Sequence, residues 1–440
     1  MIQQVKNSVF FKELSLKHSV YFVGGCVRDF YLNTSSKDID LLACGIEMPE
    51  LILFLKQHGN VNLVGESFSV VKFKPFELLL DEPIDIALPR KEIKIGDKHT
   101  DFKIISDSTI TLEEDLKRRD FTFNSMCLDK DLNLIDPFNG LKDLKDGIIR
   151  MTDEKAFAED SLRALRAIRF TSRFGFVIEQ ETFKNIEIFA SKLNTLSKER
   201  VREELLKTLQ GNGFIRGIEL FIQLGLIEHI GLPELKLTIG MTQNYFHNKD
   251  VFGHISDVII NSKPTALHRL AAMLHDIGKA NTKSIDENGV VHFYDHENVS
   301  KIIAERFMKE LKFSTEEIDL VTTAVESHMR ISSDITDKKI RKVRSKLGDA
   351  KFEFLLDLCE ADRLSHTDKS VEHIKRAREI KLKETNITSA NLLVNGDDIM
   401  EMFDLKPCKK VGDMLKIVSD LMFENPEITK EEIIKVLVSV

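Results

Sequence analysis

The chain has 440 residues, a length that predicts about three domains rather than one compact core. Charged residues make up 30% and hydrophobic residues 42% of it, which excludes a disordered polar chain and a membrane-embedded bundle. The net charge of −8 excludes a uniformly basic nucleic-acid binder but leaves room for a local basic surface. Five widely spaced cysteines form no CxxC pair, and no signal-peptide pattern or bilayer-length apolar run is present. We therefore expect a protein of the reducing cytoplasm with no membrane segment.

The first 150 residues alternate short strand-like and helix-like segments. Strands are predicted at 20–23, 38–43, 61–64, 69–73 and 83–88, and helices between them at about 27–32 and 49–57. From Thr152 onward the strand signal disappears, and helical periodicity predicts helices to the C-terminus. The sequence thus predicts an α+β chain, with a small α/β head followed by an elongated all-helical body.

Two carboxylates follow a glycine turn in the head. Gly24 and Gly25 end the first predicted strand and open a helix that carries Arg28, so that backbone N–H groups and a guanidinium can approach a phosphate. Asp38 and Asp40 begin the next strand, where alternation places both carboxylates on one face. A divalent cation is the usual way to hold two such charges together. Each motif alone is most often an ordinary turn, but the two together predict a metal-assisted phosphate site.

A third motif contains Arg118, Arg119, Asp120 and Asn124 within seven residues. Arginine forks suit phosphate oxygens, and Asp120 could accept hydrogen bonds from ribose hydroxyls. The acids and Gly140 that follow in DPFNGxxD are interpreted as a structural loop. Asp85 is considered as a third metal-binding carboxylate and left out of the predicted set.

A basic stretch follows between residues 161 and 210, where ten Lys and Arg stand against six Glu and no Asp. Asp160 comes just before this stretch and Arg163 lies near its start. Because they are three residues apart, they are predicted to be neighbours on one face of a helix. Cytosine and adenine present an amine donor beside a ring-nitrogen acceptor, whereas uracil and guanine present the reverse. A carboxylate beside a guanidinium would therefore accept the first two bases and mismatch the others. The alternative is a surface ion pair on a solvated helix.

The motif series GGxVRD, DxD, RRDFTxN, DPFNGxxD, EDxxRxxR and ERVxxE resembles the class II tRNA nucleotidyltransferases, that is, the CCA-adding enzymes and bacterial poly(A) polymerases. The resemblance implies a polymerase-β-like head in which Asp38 and Asp40 hold Mg²⁺. It also implies that the protein transfers nucleotides from CTP and ATP to the 3′ end of tRNA by a two-metal mechanism, and that Asp160 and Arg163 select the base. The implied nucleotide contacts are Gly25, Arg28, Arg119, Asp120, Asn124, Asp160, Arg163, Arg166 and Arg169. Residues 89–101 resemble a flexible family loop that switches from CTP to ATP, but this copy lacks some of its glycines.

His275 and Asp276 close an apolar helix before a Gly-Lys pair. This dipeptide resembles the HD phosphohydrolase superfamily, whose helical domain would cover about residues 245–370. The implied metal ligands are His254, His275, Asp276 and Asp362, with His296 and His328 available to extend the site. Such ligands suit Ni, Mn, Fe or Zn. Some CCA-adding enzymes carry an HD domain with phosphatase or 2′,3′-cyclic phosphodiesterase activity and others do not, and the alternative is a set of ordinary scattered histidines.

Four parts are predicted: a nucleotidyltransferase head (1–150), a helical neck that selects the base and binds RNA (151–240), an HD domain (241–370) and a tRNA-binding helical tail (371–440). The leading hypothesis is CCA addition, with tRNA, CTP and ATP as partners. Enzymes that add only CC or only A, and poly(A) polymerases, share the same motifs. Two other classes are an HD phosphohydrolase with a vestigial head and a non-catalytic RNA-binding protein. The sequence leaves the oligomeric state open.

Overall fold

The computed structural model describes residues 1–35, 38–63, 70–94, 102–106, 110–243, 249–380, 387 and 391–439, with the backbone alone over 91–94 and 102–106. These residues form two compact units, Met1–Ile230 and Gly231–Val440. The finer division into four parts stays a prediction. The predicted nucleotide-switching loop lies largely outside the described residues. None of the helices in the described ranges has the length and apolar character of a membrane-crossing segment.

The first unit mixes strands with helices. Its strands are β1 (Ser19–Val23), β2 (Asp40–Cys44), β3 (Gly59–Leu63), β4 (Val70–Pro75), β5 (Ile84–Ala87), β6 (Arg90–Lys94), β7 (Phe102–Ser106), β8 (Cys127–Leu128), β9 (Leu134–Ile135), β10 (Ile148–Ile149) and β11 (Val177–Ile178). Its helices are α1 (Ile2–Asn7), α2 (Val9–Lys17), α3 (Gly25–Tyr31), α4 (Met48–His58), α5 (Leu112–Lys117), α6 (Gly140–Asp146), α7 (Ala156–Glu159), α8 (Leu162–Phe174), α9 (Gln180–Phe189), α10 (Lys198–Gln210), α11 (Phe214–Gln223) and α12 (Leu226–His229). Short 3₁₀ turns occur at Thr122–Asn124 and Ala190–Thr195.

A seven-stranded mixed sheet positions the acidic motif. Its strand order is β3-β4-β5-β2-β1-β8-β9, and the five strands predicted from the sequence are β1 to β5. β2 runs parallel to β5, which places Asp40 opposite Asp85. Helix α2 covers the sheet through two aromatic contacts, because the Phe10 ring lies 4.9 Å from that of Phe73 and the Phe11 ring 5.0 Å from that of Phe22. The strand β2, which begins at Asp40, thus lies inside the sheet between β5 and β1.

Three helices of the first unit carry the basic stretch. Helix α8 packs against α10 and α11 through buried apolar residues such as Leu165, Ile168 and Leu205. Its arginines recur on a separate side of the helix, as the sequence pattern predicts for an amphipathic helix. One helix therefore joins the hydrophobic core to the arginine-rich surface described below.

The second unit is mainly helical. Its elements are α13 (Glu234–Leu237), α14 (Val251–Asn261), α15 (Ala266–Leu274), α16 (Lys279–Thr282), β12 (Lys283–Ile285), β13 (Val291–Phe293), α17 (His296–Glu310), α18 (Thr315–Ser327), a 3₁₀ turn (His328–Arg330), α19 (Asp337–Leu347), α20 (Asp349–Leu364), α21 (Glu372–Glu379), α22 (Gly396–Phe403), α23 (Lys409–Glu424) and α24 (Lys430–Ser439). Helices α14, α15, α17, α18 and α20 pack together into a bundle. Helices α22 to α24 enclose a small core of their own around Val394, Ile399, Val418 and Ile433.

Short strands interrupt the part that the sequence predicts to be all helical. β11 pairs in parallel with β10, and β12 pairs with β13 as an antiparallel hairpin. The segment 286–289 lies in the turn of that hairpin. Strands of two or three residues are too short to show the alternation on which strand prediction depends.

Candidate active site and metal cluster

The first unit contains a cavity of about 430 Å³ whose described lining includes nine arginines and three aspartates. The glycine turn between β1 and α3 forms one wall, and α8 and α10 form another. Ten of the eleven predicted head residues line it, namely Gly25, Arg28, Asp40, Arg119, Asp120, Asn124, Asp160, Arg163, Arg166 and Arg169. Asp38 is an exposed residue just before β2 and is not among the lining residues.

Sequence reasoning missed part of this arginine set. The additional lining arginines are Arg90, Arg118, Arg173 and Arg200. Arg118 belongs to the RRDFT motif, and Arg173 and Arg200 lie in the basic stretch, so charge clustering was the available signal. Arg90 lies outside these charge clusters, at the start of the segment 89–101 that resembles the nucleotide-switching loop.

Asp40 lines the cavity, and the carboxylates of Asp85 and Asp38 are near enough to act on it. Burial raises the pKa of Asp40 to about 6; Arg119 opposes the shift, while Asp85 and Asp38 add to it. Asp85 also accepts a hydrogen bond of 2.9 Å from Lys72 Nζ. Oxygen ligands that repel one another when ionised fit a hard divalent cation such as Mg²⁺, which would remove the repulsion.

Gly24 allows the close approach of charged groups at the turn. Its φ is +70°, a conformation that side-chain-bearing residues rarely adopt. A Cβ atom at this position would lie 3.0 Å from Arg119 Nη1 and 3.5 Å from Asp40 Oδ2. The absence of a side chain at Gly24 therefore leaves room for Arg119 and Asp40 to lie close to the turn.

A hydrogen-bond network holds two of the cavity arginines, Arg28 and Arg166, in position. Arg28 donates to Asp29 Oδ1 from Nε (2.8 Å) and to Asn124 Oδ1 from Nη1 (2.9 Å). Asn124 in turn donates to Asp120 Oδ1 (2.9 Å), and Arg166 Nε donates to Asp120 Oδ2 (2.7 Å). Burial opposes ionisation of Asp120, but Arg166 and Asn124 outweigh it and lower its pKa to about 2. Both oxygens of Asp120 thus bind protein groups, and its contact with a ribose stays a prediction.

The structure corrects the predicted geometry of Asp160 and Arg163. Asp160 is not helical: it follows α7 with φ −136° and ψ 101°, and α8 begins at Leu162. Asp160 Oδ1 accepts from Leu162 N (3.1 Å), and its Oδ2 accepts from Arg200 Nη2 (2.8 Å). A short acidic side chain that binds the backbone just ahead favours such a break between helices. The two predicted base-selecting residues therefore line one cavity from adjacent segments, not from one helical face.

Arg163 is held by the main chain. Its Nη2 donates to the carbonyl of Arg118, and its Nη1 lies 3.9 Å from Glu159 Oε2. Among the described residues, buried Arg163 Nη1 has no hydrogen-bond acceptor.

The second unit brings all six predicted metal ligands together in what we call the histidine–aspartate cluster: His254, His275, Asp276, His296, His328 and Asp362. Asp276 is central. Its Oδ2 lies 3.3 Å from both His254 Nε2 and His275 Nε2, and its Oδ1 lies 3.1 Å from His296 Nε2 and 3.7 Å from His328 Nε2. Asp362 Oδ1 lies 3.1 Å from His254 Nε2.

Backbone carbonyls orient three of the imidazoles. The Nδ1 atoms of His275, His296 and His328 lie 2.8, 2.8 and 2.6 Å from the carbonyl oxygens of Ala272, Phe293 and Val325. A carbonyl can only accept, so each Nδ1 carries a proton and Nε2 of each ring faces the cluster. This is the arrangement by which proteins hold metal-binding histidines.

The neighbours of His254 and His328 shift their pKa values in opposite directions. Burial opposes the protonation of His254, but Asp276 and Asp362 raise its pKa to about 9, whereas burial and His275 lower the pKa of His328 to about 4. His296 Nε2 and Asp362 Oδ1 are buried and contact other members of the cluster, at 3.1 Å from Asp276 Oδ1 and 3.1 Å from His254 Nε2 respectively. A metal ion would bind both atoms, and mixed imidazole and carboxylate donors suit Mn, Fe, Ni or Zn.

Two further residues of this site were missed. His366 Nε2 lies 3.3 Å from Asp362 Oδ1, and Lys279 Nζ lies 2.6 Å from Asp276 Oδ2. Both line a second cavity of about 430 Å³ beside the cluster. The spacing of His366 four residues after Asp362 was a weak sequence signal for proximity.

Comparisons with known proteins agree with the head architecture. The family described as "Poly A polymerase head domain" matches residues 20–150, "Probable RNA and SrmB- binding site of polymerase A" matches 175–238, and "tRNA nucleotidyltransferase domain 2 putative" matches 285–437. The A-adding tRNA nucleotidyltransferase of Deinococcus radiodurans is 31% identical over 330 residues, which cover 70% of this chain and 75% of that protein. The Multifunctional CCA protein of Neisseria gonorrhoeae is 34% identical over 270 residues, which cover 60% of this chain and 62% of that protein.

The fold is similar to that of solved structures. This chain superposes on the crystal structure of the Bacillus stearothermophilus CCA-adding enzyme in complex with CTP with a TM-score of 0.71 and 22% sequence identity, and the match covers 100% of this chain and 97% of that one. The chain belongs to the tRNA nucleotidyltransferase and poly(A) polymerase family, and it is a nucleotidyltransferase. This confirms the predicted family and the polymerase-β-like head with a helical body. Membership implies a divalent metal cofactor. The HD resemblance stays a prediction.

Proposed function

We propose that this chain adds nucleotides from CTP and ATP to the 3′ end of tRNA and completes the CCA sequence. The observation that carries the proposal is the head cavity, in which nine arginines face an acidic edge beside a glycine turn. A nucleoside triphosphate is polyanionic, and guanidinium forks match its phosphate oxygens. The named activities of the Deinococcus and Neisseria relatives support tRNA as the acceptor.

The carboxylates would hold the metal and the arginines the triphosphate. Asp38 and Asp40 are the proposed Mg²⁺ ligands, and Asp85 is close enough in the sheet to assist them. Bound Mg²⁺ would favour ionisation of the attacking 3′-hydroxyl and neutralise the pyrophosphate that leaves. Arg28 and Arg166 are already fixed by Asp29 and Asp120, so they present their charge without a large entropic cost on binding.

Base choice is the role proposed for Asp160 and Arg163. Asp160 would accept from the exocyclic amine of cytosine or adenine, and Arg163 would donate to the adjacent ring nitrogen. Uracil or guanine would place acceptor against acceptor and donor against donor, which is strongly unfavourable in a partly buried site. The position of both residues in the lining of the head cavity supports this role.

The experiment offers each labelled NTP singly to three tRNAs, one lacking CCA, one ending in CC and one mature. Full CCA addition predicts CTP incorporation on the first, ATP incorporation on the second and none on the third. CTP incorporation alone would indicate a CC-adding enzyme, ATP incorporation alone an A-adding one, and a long A tail a poly(A) polymerase. Incorporation into none of them would overturn the proposal.

A second function is favoured by the histidine–aspartate cluster. We propose that it binds transition-metal ions and hydrolyses phosphate esters, with Asp276 shared between one ion near His254 and His275 and another near His296 and His328. The metal ions would polarise a phosphate oxygen and a water molecule. Hydrolysis of p-nitrophenyl phosphate and of a 2′,3′-cyclic nucleotide, with Mn²⁺, Ni²⁺, Fe²⁺ or Zn²⁺ added, tests it. A metal-loaded protein that hydrolyses neither compound would contradict the hydrolytic role.

A further inference from the structure

One phenylalanine ring contacts three of the cavity arginines. The centre of the Phe170 ring, in helix α8, lies 4.5 Å from the guanidinium carbon of Arg169 and 5.7 Å from that of Arg166. The guanidinium carbon of Arg28, which belongs to α3, lies 5.3 Å from the same ring centre. All four residues line the head cavity. A guanidinium within about 6 Å of an aromatic ring centre is attracted by the negative face of the ring.

A second ring, one helical turn later, extends this arrangement. The rings of Phe170 and Phe174 are nearly parallel, with 8° between their planes and 5.8 Å between their centres. The guanidinium carbons of Arg28 and Arg173 lie 5.2 and 4.8 Å from the centre of the Phe174 ring. Arg28 therefore contacts both rings, and Phe170 is the ring shared by most of these arginines.

The hydrophobic core holds the Phe170 ring in place. The ring centres of Phe121 and Phe123, in the segment of the RRDFT motif, lie 5.8 and 5.2 Å from it, with the ring planes at 86° and 89°. The Phe170 residue is only 1% exposed. Its ring orientation is therefore set by neighbouring aromatic side chains, independently of any ligand.

Positive charge is crowded around this ring. Burial lowers the pKa of Arg169 to about 10, and the charges of Arg166 and Arg28 act in the same direction. Burial also lowers the pKa of Arg28. An aromatic face attracts a guanidinium but, unlike a carboxylate, does not neutralise its charge. The Phe170 ring can thus offset part of the cost of crowding and leave the positive charge available to phosphate oxygens.

We propose that Phe170 is a positioning residue whose ring holds three arginines in one cluster for the triphosphate of the incoming nucleotide. The inference rests on the proposed nucleotidyl transfer. The ring acts through arginines other than the base-selecting pair proposed above, Asp160 and Arg163. Its effect should therefore be on the binding of phosphates, and it should be the same for every base.

The experiment weakens the negative face of the ring and leaves its size nearly unchanged. Phe170 is replaced by phenylalanines that carry one, two or three fluorine atoms, because fluorine withdraws electrons from the ring. The same series at Phe221 of α11 is the matched control, since this residue is also 1% exposed and is not among the described residues that line the cavity. Dissociation constants for CTP and for inorganic triphosphate are measured by isothermal titration calorimetry. The preference for CTP over UTP is measured on tRNA lacking CCA.

We expect the affinity for both ligands to fall with each added fluorine at Phe170, by about tenfold over the series, as for desolvated cation–π contacts. The preference for CTP over UTP should not change. In an Arg169→Met background the effect of fluorination should shrink, because the closest cation has been removed. The Phe221 series should keep the wild-type affinities.

Constant affinities across the Phe170 series would overturn the inference, because the ring would then contribute packing alone. Equal losses at Phe170 and Phe221, or a changed preference for CTP over UTP, would also overturn it. A wild-type protein that binds neither CTP nor inorganic triphosphate would overturn the proposed function itself, so the two failures are distinguishable.

Discussion

Arg166 forms a two-pronged ion pair with Asp120, with Nε at 2.7 Å and Nη2 at 2.6 Å from the same carboxylate oxygen, Oδ2. The pair joins the RRDFT motif to the arginine helix α8, and the side chain of Asp120 is only 7% exposed. With its carboxylate buried and its guanidinium one third exposed, this pair connects two motifs that lie far apart in the sequence.

Replacement of Asp120 by Ala should strongly destabilise the first unit. The change removes the charged partner of Arg166, which is one third exposed, and the buried acceptor of the Asn124 amide. The expected loss is about 2–3 kcal/mol in the free energy of unfolding, measured by urea denaturation. Asp160→Ala, which removes a more exposed carboxylate, should lose far less. Equal stability of the two variants would contradict this.

Asp120 should also make folding sensitive to acid. Its pKa in the folded state is about 2, below the ordinary value of 3.8. A depressed carboxyl pKa contributes stability that is fully present above the unfolded value and lost as pH falls through the folded one. The stability gap between the wild type and Asp120→Asn should therefore be constant above about pH 5 and shrink toward pH 2. Urea midpoints across this range test it, and a gap that widens on acidification would refute it.

The two proposed metal sites should be separable. Asp276→Asn should abolish bound transition metal, measured by elemental analysis of the purified protein, and leave tRNA nucleotidyl transfer within about twofold of the wild type. Asp40→Ala should do the opposite, because Asp40 lies in the other unit. Loss of transition metal in Asp40→Ala, or its retention in Asp276→Asn and His328→Ala, would contradict the assignment.

Gly140 should not tolerate a side chain. A Cβ atom there would lie 2.1 Å from the carbonyl oxygen of Thr122, which is backbone of the RRDFT segment and cannot swing away. Gly140→Ala should cost about 1–3 kcal/mol or more of stability. Gly412→Ala is the matched control, because this glycine lies within α23 with nothing within 4 Å of a Cβ, and alanine should stabilise it by roughly 0.5–1 kcal/mol. Thermal denaturation of both variants decides this, and equal midpoints would be contrary evidence.

The sequence predicts the elements and residue sets better than their local geometry. Short motifs found Asp40, Arg119 and Arg166, because each has a chemical type and spacing that phosphate chemistry requires. Helical periodicity could not show that the chain leaves the helix at Asp160, since that depends on which backbone N–H the carboxylate binds. The strands β1 to β5 were predicted, but the antiparallel pair of β6 and β7 and the hairpin of β12 and β13 were not.

Convergence of distant residues was the other limit. The HD dipeptide marks His275 and Asp276, whereas His366 has only its spacing of four residues from Asp362, and its place in the cluster is seen from the distance between them. Arg90 lies in the segment that resembles the nucleotide-switching loop, but nothing in that resemblance placed its side chain in the cavity. Charge clusters predict that a basic surface exists, but tertiary packing decides which arginines share one wall.

The most direct test of the central claim is the product length of a tRNA lacking its CCA end after incubation with CTP, ATP and Mg²⁺, resolved on a denaturing gel. The wild type should extend the tRNA stepwise by C, C and A and then stop. Asp38→Ala and Asp40→Ala should each leave it unextended while the protein stays folded by circular dichroism. Extension by the Asp40→Ala protein at the wild-type rate, or no extension by the wild type, would contradict the account.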